Sequence, residues 1–378
     1  MQQDKYICNF LLLLVLVYYS QGVIYPMGSI ISQTTLLLIM LISLVYFVKE
    51  LFFVQSKFTL FIKAWTALLL LIVAGFFLKG DFENYRGFQS TLLNMVPFYA
   101  FYYFSKKDVL TKKHLIVLFI ILAPMIVYRF TQSNISLQAI REREDVIDNT
   151  IYMFLGLIPF VFLFKRKVFS IIALLIFWIF IVQSAKRAAI VCGVFGILLF
   201  FYYQLKTVNS RYQIRNYTVI LIIFFGLSYW GYEYLLENEF LMVRLQSMME
   251  GDSSGRDNIA RIAFATWYES NNIFIYLFGN GFQTTADVSA NNSHNDWIEL
   301  LVSFGLLGFT IYAILFYSAL KEIYSGNFVF NKKIMFICLI GIAIITSLTS
   351  RWYGSSFAYS QILLLPYLLA TKDNSIKK

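Results

Sequence analysis

The feature that most constrains this chain is the length of its apolar runs. Stretches such as residues 11–17 (LLLLVLV), 68–73 (LLLLIV) and 171–182 (IIALLIFWIFIV) do not alternate with polar residues and recur to the end of the sequence. A hydrocarbon core of about 30 Å takes roughly 20 apolar residues of helix. Only helices and closed barrels satisfy their backbone in lipid, and a barrel would read as alternation. Charged residues make up 14% against 59% hydrophobic, with mean hydropathy +0.67. Soluble domains carry about 25% charge, so this chain cannot cover a globular surface with ions. The expectation is an all-α polytopic membrane protein, one integral-membrane domain over residues 1–378.

Reading the windows predicts twelve spans, at 7–24, 28–48, 60–78, 88–104, 114–130, 150–164, 168–184, 188–204, 217–236, 296–320, 334–350 and 355–371. The first is not read as a signal peptide, because no small-residue cleavage site follows it. An even count puts both termini on one side, and lysine and arginine placement identifies that side as cytoplasmic. Cytoplasmic segments hold 20 of the 31 cations and five acids, including Lys5, Lys106, Lys107, Lys165, Lys332 and Lys333; the other face holds 11 cations and 16 acids. The net charge of +10 is therefore an orientation signal and gives no reason to invoke nucleic acid. Cys8, Cys192 and Cys338 each lie inside an apolar block without redox or zinc spacing, and read as packing or lipid-facing residues.

The cations also differ in kind. Seventeen of the 20 cytoplasmic ones are lysine, whereas nine of the 11 outer ones are arginine: Arg86, Arg129, Arg141, Arg143, Arg187, Arg244, Arg256, Arg261 and Arg351. Lysine suffices for topology, while the planar guanidinium suits bidentate grip on phosphate or carboxylate. Pairing with outer acids is the bland alternative. Two outer segments are long. Residues 131–149 carry a charge cluster, read as a solvated helical turn, and residues 237–295 form the largest loop, helical from 258 to 275 after a Gly/Ser/Asp turn. Long loops are usually functional.

Three motifs carry chemistry. Ser184-Ala185-Lys186-Arg187 puts two cations at a tight outer junction, where they snorkel or hold an anionic headgroup. Ser254-Gly255-Arg256 opens a helix that Asp252, Ser253 or Ser254 can cap and whose exposed N–H groups add anion affinity; Arg261 follows about 140° further round. Ser293-His294-Asn295-Asp296 stands at the mouth of the tenth span, with Ser293 as cap and Asp296 reaching back. His294 is either a capping-region residue or a general base, since its unperturbed pKa lies near 6.5. No metal-ligand cluster, Walker, dinucleotide or nucleophile-elbow motif is present, and His114 beside Lys112 and Lys113 is incidental.

In order, Ser184-Ala185-Lys186-Arg187, Gly255-Arg256, Phe278-Gly279-Asn280-Gly281, His294-Asn295, and Glu299 through Gly305-Leu306-Leu307-Gly308 resemble the O-antigen ligase/O-antigen polymerase superfamily of bacterial envelope glycosyltransferases. The likeness covers about residues 184–310. The family arginine stands about 18 residues before the Gly-x-Gly turn, which selects Arg261, while the Ser-Gly-Arg context selects Arg256; both stay candidates.

The resemblance implies a GT-C-like membrane fold in the bacterial inner membrane, with residues 237–295 as a periplasmic loop. It implies transfer of glycan from an undecaprenyl-diphosphate-linked oligosaccharide, without cofactor or metal. Arg187, with Arg256 and/or Arg261 and Lys186, would hold the diphosphate, His294 would deprotonate the acceptor hydroxyl, and Asn295 and Arg351 stand as supporting candidates. A repeat-unit polymerase, acting beside a flippase and a chain-length regulator, is favoured over a ligase that transfers glycan to lipid A-core. Trp267, Trp297, Trp352 and Tyr353 are candidates for sugar stacking or interfacial anchoring. A lipid-linked oligosaccharide flippase is the competing class, but it should place charge deep within spans and show related halves.

Overall fold

The computed structural model describes residues 2–53, 58–80, 82–141, 148–184, 186–207, 255–289, 293–354 and 359–371, with scattered helical positions between 214 and 250. Among these the chain is helical, without a named strand. In order the helices are α1 (Gln2–Tyr19), α2 (Ile30–Val48, running on as a π-turn to Phe53), α3 (Leu60–Lys79), α4 (Tyr85–Met95), α5 (Pro97–Lys106), α6 (Lys112–Arg141), α7 (Ile151–Leu157, continued as a 3-10 turn to Leu163), α8 (Lys167–Gln183) and α9 (Arg187–Thr207). Then come α10 (Arg256–Tyr268), α11 (Ile273–Phe278), α12 (Thr284–Ser289), α13 (Asp296–Ser325), α14 (Phe330–Thr349) and α15 (Leu365–Ala370, after a π-turn from Ser360).

Local chemistry sets these ends. Ser29 caps α2 by accepting from Ser32 N at 3.4 Å, and Thr59 caps α3 by accepting from Ile62 N at 3.4 Å. Gly80, at φ 68°, ends α3. Pro97 breaks the fourth window into α4 and α5, since it lacks the amide that would continue the helix.

Among the described residues, six helices are long and apolar enough to cross a membrane: Ile30–Phe53, Leu60–Lys79, Lys112–Ile140, Arg187–Thr207, Asp296–Ser325 and Phe330–Thr349. The chain is a membrane protein by this criterion, but the twelve-span reading is not supported. Residues 151–163, 167–183 and 360–370 form shorter apolar helices. The windows at 88–104, 150–164 and 355–371 contain broken or mixed helices, which an average over apolarity does not detect. The window at 217–236 lies mostly outside the described residues, as do Arg143, Arg244 and most of the cluster at 142–147.

The centre of the bundle is α13. It packs along α3 and against α14, α10 and α11, while α14 packs on α9 and α5 packs on α2 and α15. Gly75 allows the close approach of α3 to α13: a Cβ there would lie 2.4 Å from the Phe304 ring. Small residues are what let helix backbones close up where no hydrophobic force separates helix from lipid. Trp65, Tyr99, Tyr312 and Trp352 fill the interior. Cys8, Cys192 and Cys338 are wholly buried, so they serve packing and do not face lipid.

Candidate functional site

The site begins with a break in α13. Gly305 sits at φ 63°, ψ −161°, inside an otherwise continuous helix. A break of this kind removes amide donors from carbonyls of the preceding turn, which lipid cannot replace. The turn Phe278-Gly279-Asn280-Gly281 supplies them: Asn280 N donates to Val302 O at 3.0 Å and Gly281 N to Ser303 O at 2.8 Å. The approach is backbone to backbone. A Cβ on Gly279 would lie 2.3 Å from Phe304 N, and one on Gly305 would lie 2.4 Å from Leu277 C. The two glycine motifs are thus one joint that docks the loop onto the helix.

Two buried carboxylates hold the first turn of α13. Glu299 is fully buried and accepts from the hydroxyls of Thr285, of Ser293 at 3.4 Å and of Ser303 at 3.2 Å. It therefore ties α12 and the approach to His294 to the helix. Asp296, also fully buried, accepts through Oδ2 from Tyr312 OH at 2.8 Å and Trp352 N at 2.7 Å. The expected cap is corrected here. Asn295 is the N-cap, its Oδ1 accepting from Trp297 N at 2.9 Å and Ile298 N at 3.3 Å, while its Nδ2 donates to Leu348 O at 3.3 Å. Asp296 points its bonds inward, and Ser293 instead serves Glu299 and the Asn295 backbone. Asn295 is therefore a structural support at the site.

This frame presents His294 at φ 52°, a left-handed conformation that costs a non-glycine residue about 1–3 kcal/mol. Its ring lines a cavity of about 360 Å³ together with Arg187, Arg256 and Asn295. Val191, Ile298, Ile345 and Leu348 contribute to the apolar part of the wall, and among the described residues Asp257 is its carboxylate. Arg187 is the first residue of α9, Arg256 the first of α10, and Asn295 caps α13. Three helix N-termini thus meet at one cavity, where unsatisfied amides and aligned peptide dipoles favour an anion.

Of the predicted cations, Arg187 and Arg256 reach the cavity and Arg261 does not. Arg256 Nη1 also donates to Thr349 O at 2.8 Å and so closes the C-terminal end of α14. Arg261 is exposed and donates to Asn258 Oδ1 at 2.9 Å, on a different face of α10. Lys186 stands 5.7 Å from the centroid of the Tyr152 ring and Arg351 stands 5.7 Å from that of Tyr353. Neither lines the cavity, yet both act on it through their field. Burial first, then Arg256, Lys186 and Arg351, push the His294 imidazole down to about 4. Among the described residues, none hydrogen-bonds that ring.

Ser184 Oγ accepts from Lys186 N at 3.3 Å and donates to Ile181 O at 2.7 Å, which shapes the junction before Arg187. Gly255, at φ 79°, stands at the N-cap of α10; the expected caps Asp252, Ser253 and Ser254 lie outside the described residues. The four aromatics do not line the cavity. Trp352, Tyr353 and Trp267 are buried in packing, and Trp297 stacks on Phe316 while donating to Ser347 Oγ at 3.2 Å. Composition alone missed Glu299 and Asp296 as organisers, although acids on an apolar helix were the available signal. No family model matches the chain, and no curated protein matches it significantly.

Proposed function

We propose that the protein is an integral-membrane glycosyltransferase that takes glycan from a polyprenyl-diphosphate carrier, in the manner of the O-antigen ligase/O-antigen polymerase superfamily. The observation that carries this reading is the one cavity shared by Arg187, Arg256 and His294, at the meeting of three helix N-termini. Two guanidiniums match the geometry of a diphosphate. Apolar wall residues on α9, α13 and α14 suit the adjoining prenyl chain.

In the proposed step the acceptor hydroxyl oxygen attacks the anomeric carbon as the bond from that carbon to the diphosphate oxygen breaks. The electron pair leaves with polyprenyl diphosphate, whose charge the arginines stabilise, and the hydroxyl proton passes to His294. His294 starts neutral because burial, and then the surrounding cations, hold its pKa down. Arrival of the anionic diphosphate offsets those cations and raises its basicity when it is needed. The lysine-rich ends of the helices would face the cytoplasm of a bacterial inner membrane and the cavity the periplasm, following the positive-inside tendency. We favour a repeat-unit polymerase.

Arg187→Ala and His294→Gly, scored by the exported polysaccharide on gels, test the reading. Both should abolish long chains; normal ladders from both would overturn it. Single repeats still attached to lipid A-core would mark a polymerase, and loss of all attached repeats would mark a ligase.

A further inference from the structure

A second cavity, of about 700 Å³, lies between the ends of α1, α2 and α4. It is roughly twice the size of the first. Lys79, at the end of α3, donates to Phe282 O at 3.0 Å and pairs with Asp287, both in the segment that leads to His294. The helix α4, which walls the second cavity, begins six residues after Lys79.

Its chemistry differs from that of the first cavity. Among the described residues that line it, Gln33, Gln89 and Ser90 offer neutral donors and acceptors, Tyr85 a phenol and Arg86 a cation, and none is a carboxylate. Gln33 Nε2 donates to Gly28 O at 3.0 Å, which leaves its carbonyl oxygen available. The side chains of Gln89 and Ser90 bond to no other described residue. These groups do not suit a cation, and a plain lipid groove has no use for carboxamides and hydroxyls. Amides, hydroxyls and a phenol are the groups that read sugar hydroxyls, and cavities of about 300–1,000 Å³ are those that engulf small ligands. Gln21 and Ser32, also in the wall, bond to each other at 2.7 Å. The apolar part, Leu36, Leu37 and Met40, lies on α2, whose Leu37, Leu41 and Leu44 are exposed where lipid would be.

The wall is also tied to the first site. On the other side of α4, Asn94 Nδ2 donates to Tyr353 O at 3.1 Å, and the adjacent Trp352 N donates to Asp296, two residues from His294. We propose that the second cavity binds the headgroup of a second saccharide-bearing lipid, the acceptor of the transfer. Its sugar hydroxyls meet Gln33, Gln89 and Ser90, its phosphate meets Arg86, and its hydrocarbon runs along α2. This rests on the first cavity being the donor site.

The test is native mass spectrometry of the full chain in a saccharide-free detergent, with synthetic tetraprenyl-diphosphate N-acetylglucosamine as probe. The expected result is two bound equivalents. The Gln33→Ala/Gln89→Ala variant should weaken one of them by about tenfold, the loss of one to two net hydrogen bonds. Arg187→Ala/Arg256→Ala should remove the other, and the equivalent retained in each variant reports that the chain is folded. Dodecyl maltoside, a sugar lipid without phosphate, should displace only the equivalent that depends on Gln33 and Gln89. Two undiminished equivalents in the glutamine variant, or displacement of that equivalent by phosphatidylglycerol as readily as by maltoside, would overturn the proposal. A single wild-type equivalent lost with the arginines would overturn it and leave the donor reading intact. An equivalent that depends on the glutamines but none on the arginines would do the reverse, and no binding at all would defeat both.

Discussion

At the scale of single residues, His294 carries two demands at once. It occupies a left-handed backbone position, and its ring lines a cavity whose cations disfavour the imidazolium. Alanine is a poor probe here, because it keeps the backbone cost and loses the ring. His294→Gly removes both. Activity should fall by about 10²–10⁴-fold, the usual worth of a positioned base, while thermal stability in detergent stays level or rises by up to about 1 kcal/mol. A melting temperature that drops with the activity would make His294 a structural residue.

The same ring sets the acid limb of the rate. A neutral imidazole accepts the proton and a protonated one cannot, so activity is present above the folded pKa and lost as pH falls through it. For kcat/KM, which reports free enzyme, the limb should lie near pH 4. For kcat it should lie higher, because bound diphosphate offsets the cations. Lys186→Gln removes one depressing charge and should move the kcat/KM limb upward, and an unmoved limb would separate the titrating group from His294.

Arg187, Arg256 and His294 were legible in the sequence because residue type and order pointed to an anion site beside a base. The choice between Arg256 and Arg261 was not legible. Their angular separation on a helix says that one of them faces away, and only the packing of α10 against α13 decides which.

At the scale of elements, two backbone amides dock the glycine turn of the loop onto α13. That joint was invisible in the sequence, where Phe278-Gly279-Asn280-Gly281 reads as a flexible turn. A glycine states freedom of φ but not what comes close to it. The consequence is a sharp ranking among three glycines at positive φ. Gly279→Ala and Gly305→Ala add a Cβ within 2.4 Å of the opposing backbone, so the conformational cost and overpacking combine to about 2–5 kcal/mol. Gly255→Ala has open space at its Cβ and should lose only about 1–2 kcal/mol. Melting of the detergent-solubilised variants, followed by size-exclusion fluorescence, reads the difference. Equal losses at Gly255 and Gly305 would show that the two backbones do not meet.

At the scale of the whole molecule, apolar blocks announced a membrane protein correctly but overstated how many helices cross in full. Hydropathy windows sum side chains, and they do not register that Pro97 parts α4 from α5 or that residues 158–163 tighten into a 3-10 turn. The helix best suited to test the arrangement is α13. Beyond its break at Gly305 it runs on to Ser325, a rise of about 30 Å that matches a hydrocarbon core, so its two ends are expected on opposite faces. Asn258 is exposed on α10, which packs against α13, and Tyr324, 81% exposed, lies at the far end of α13. The native cysteines are wholly buried, so a membrane-impermeant maleimide should find little background. In intact spheroplasts Asn258→Cys and Ile24→Cys should label while Tyr324→Cys and Lys107→Cys stay silent. In inverted vesicles the pattern should reverse. Labelling of Asn258→Cys and Tyr324→Cys from the same face would mean that α13 does not cross. A complete pattern of the opposite sense would keep the bundle but turn it over, placing the cavity beneath the lysines and away from any exported glycan.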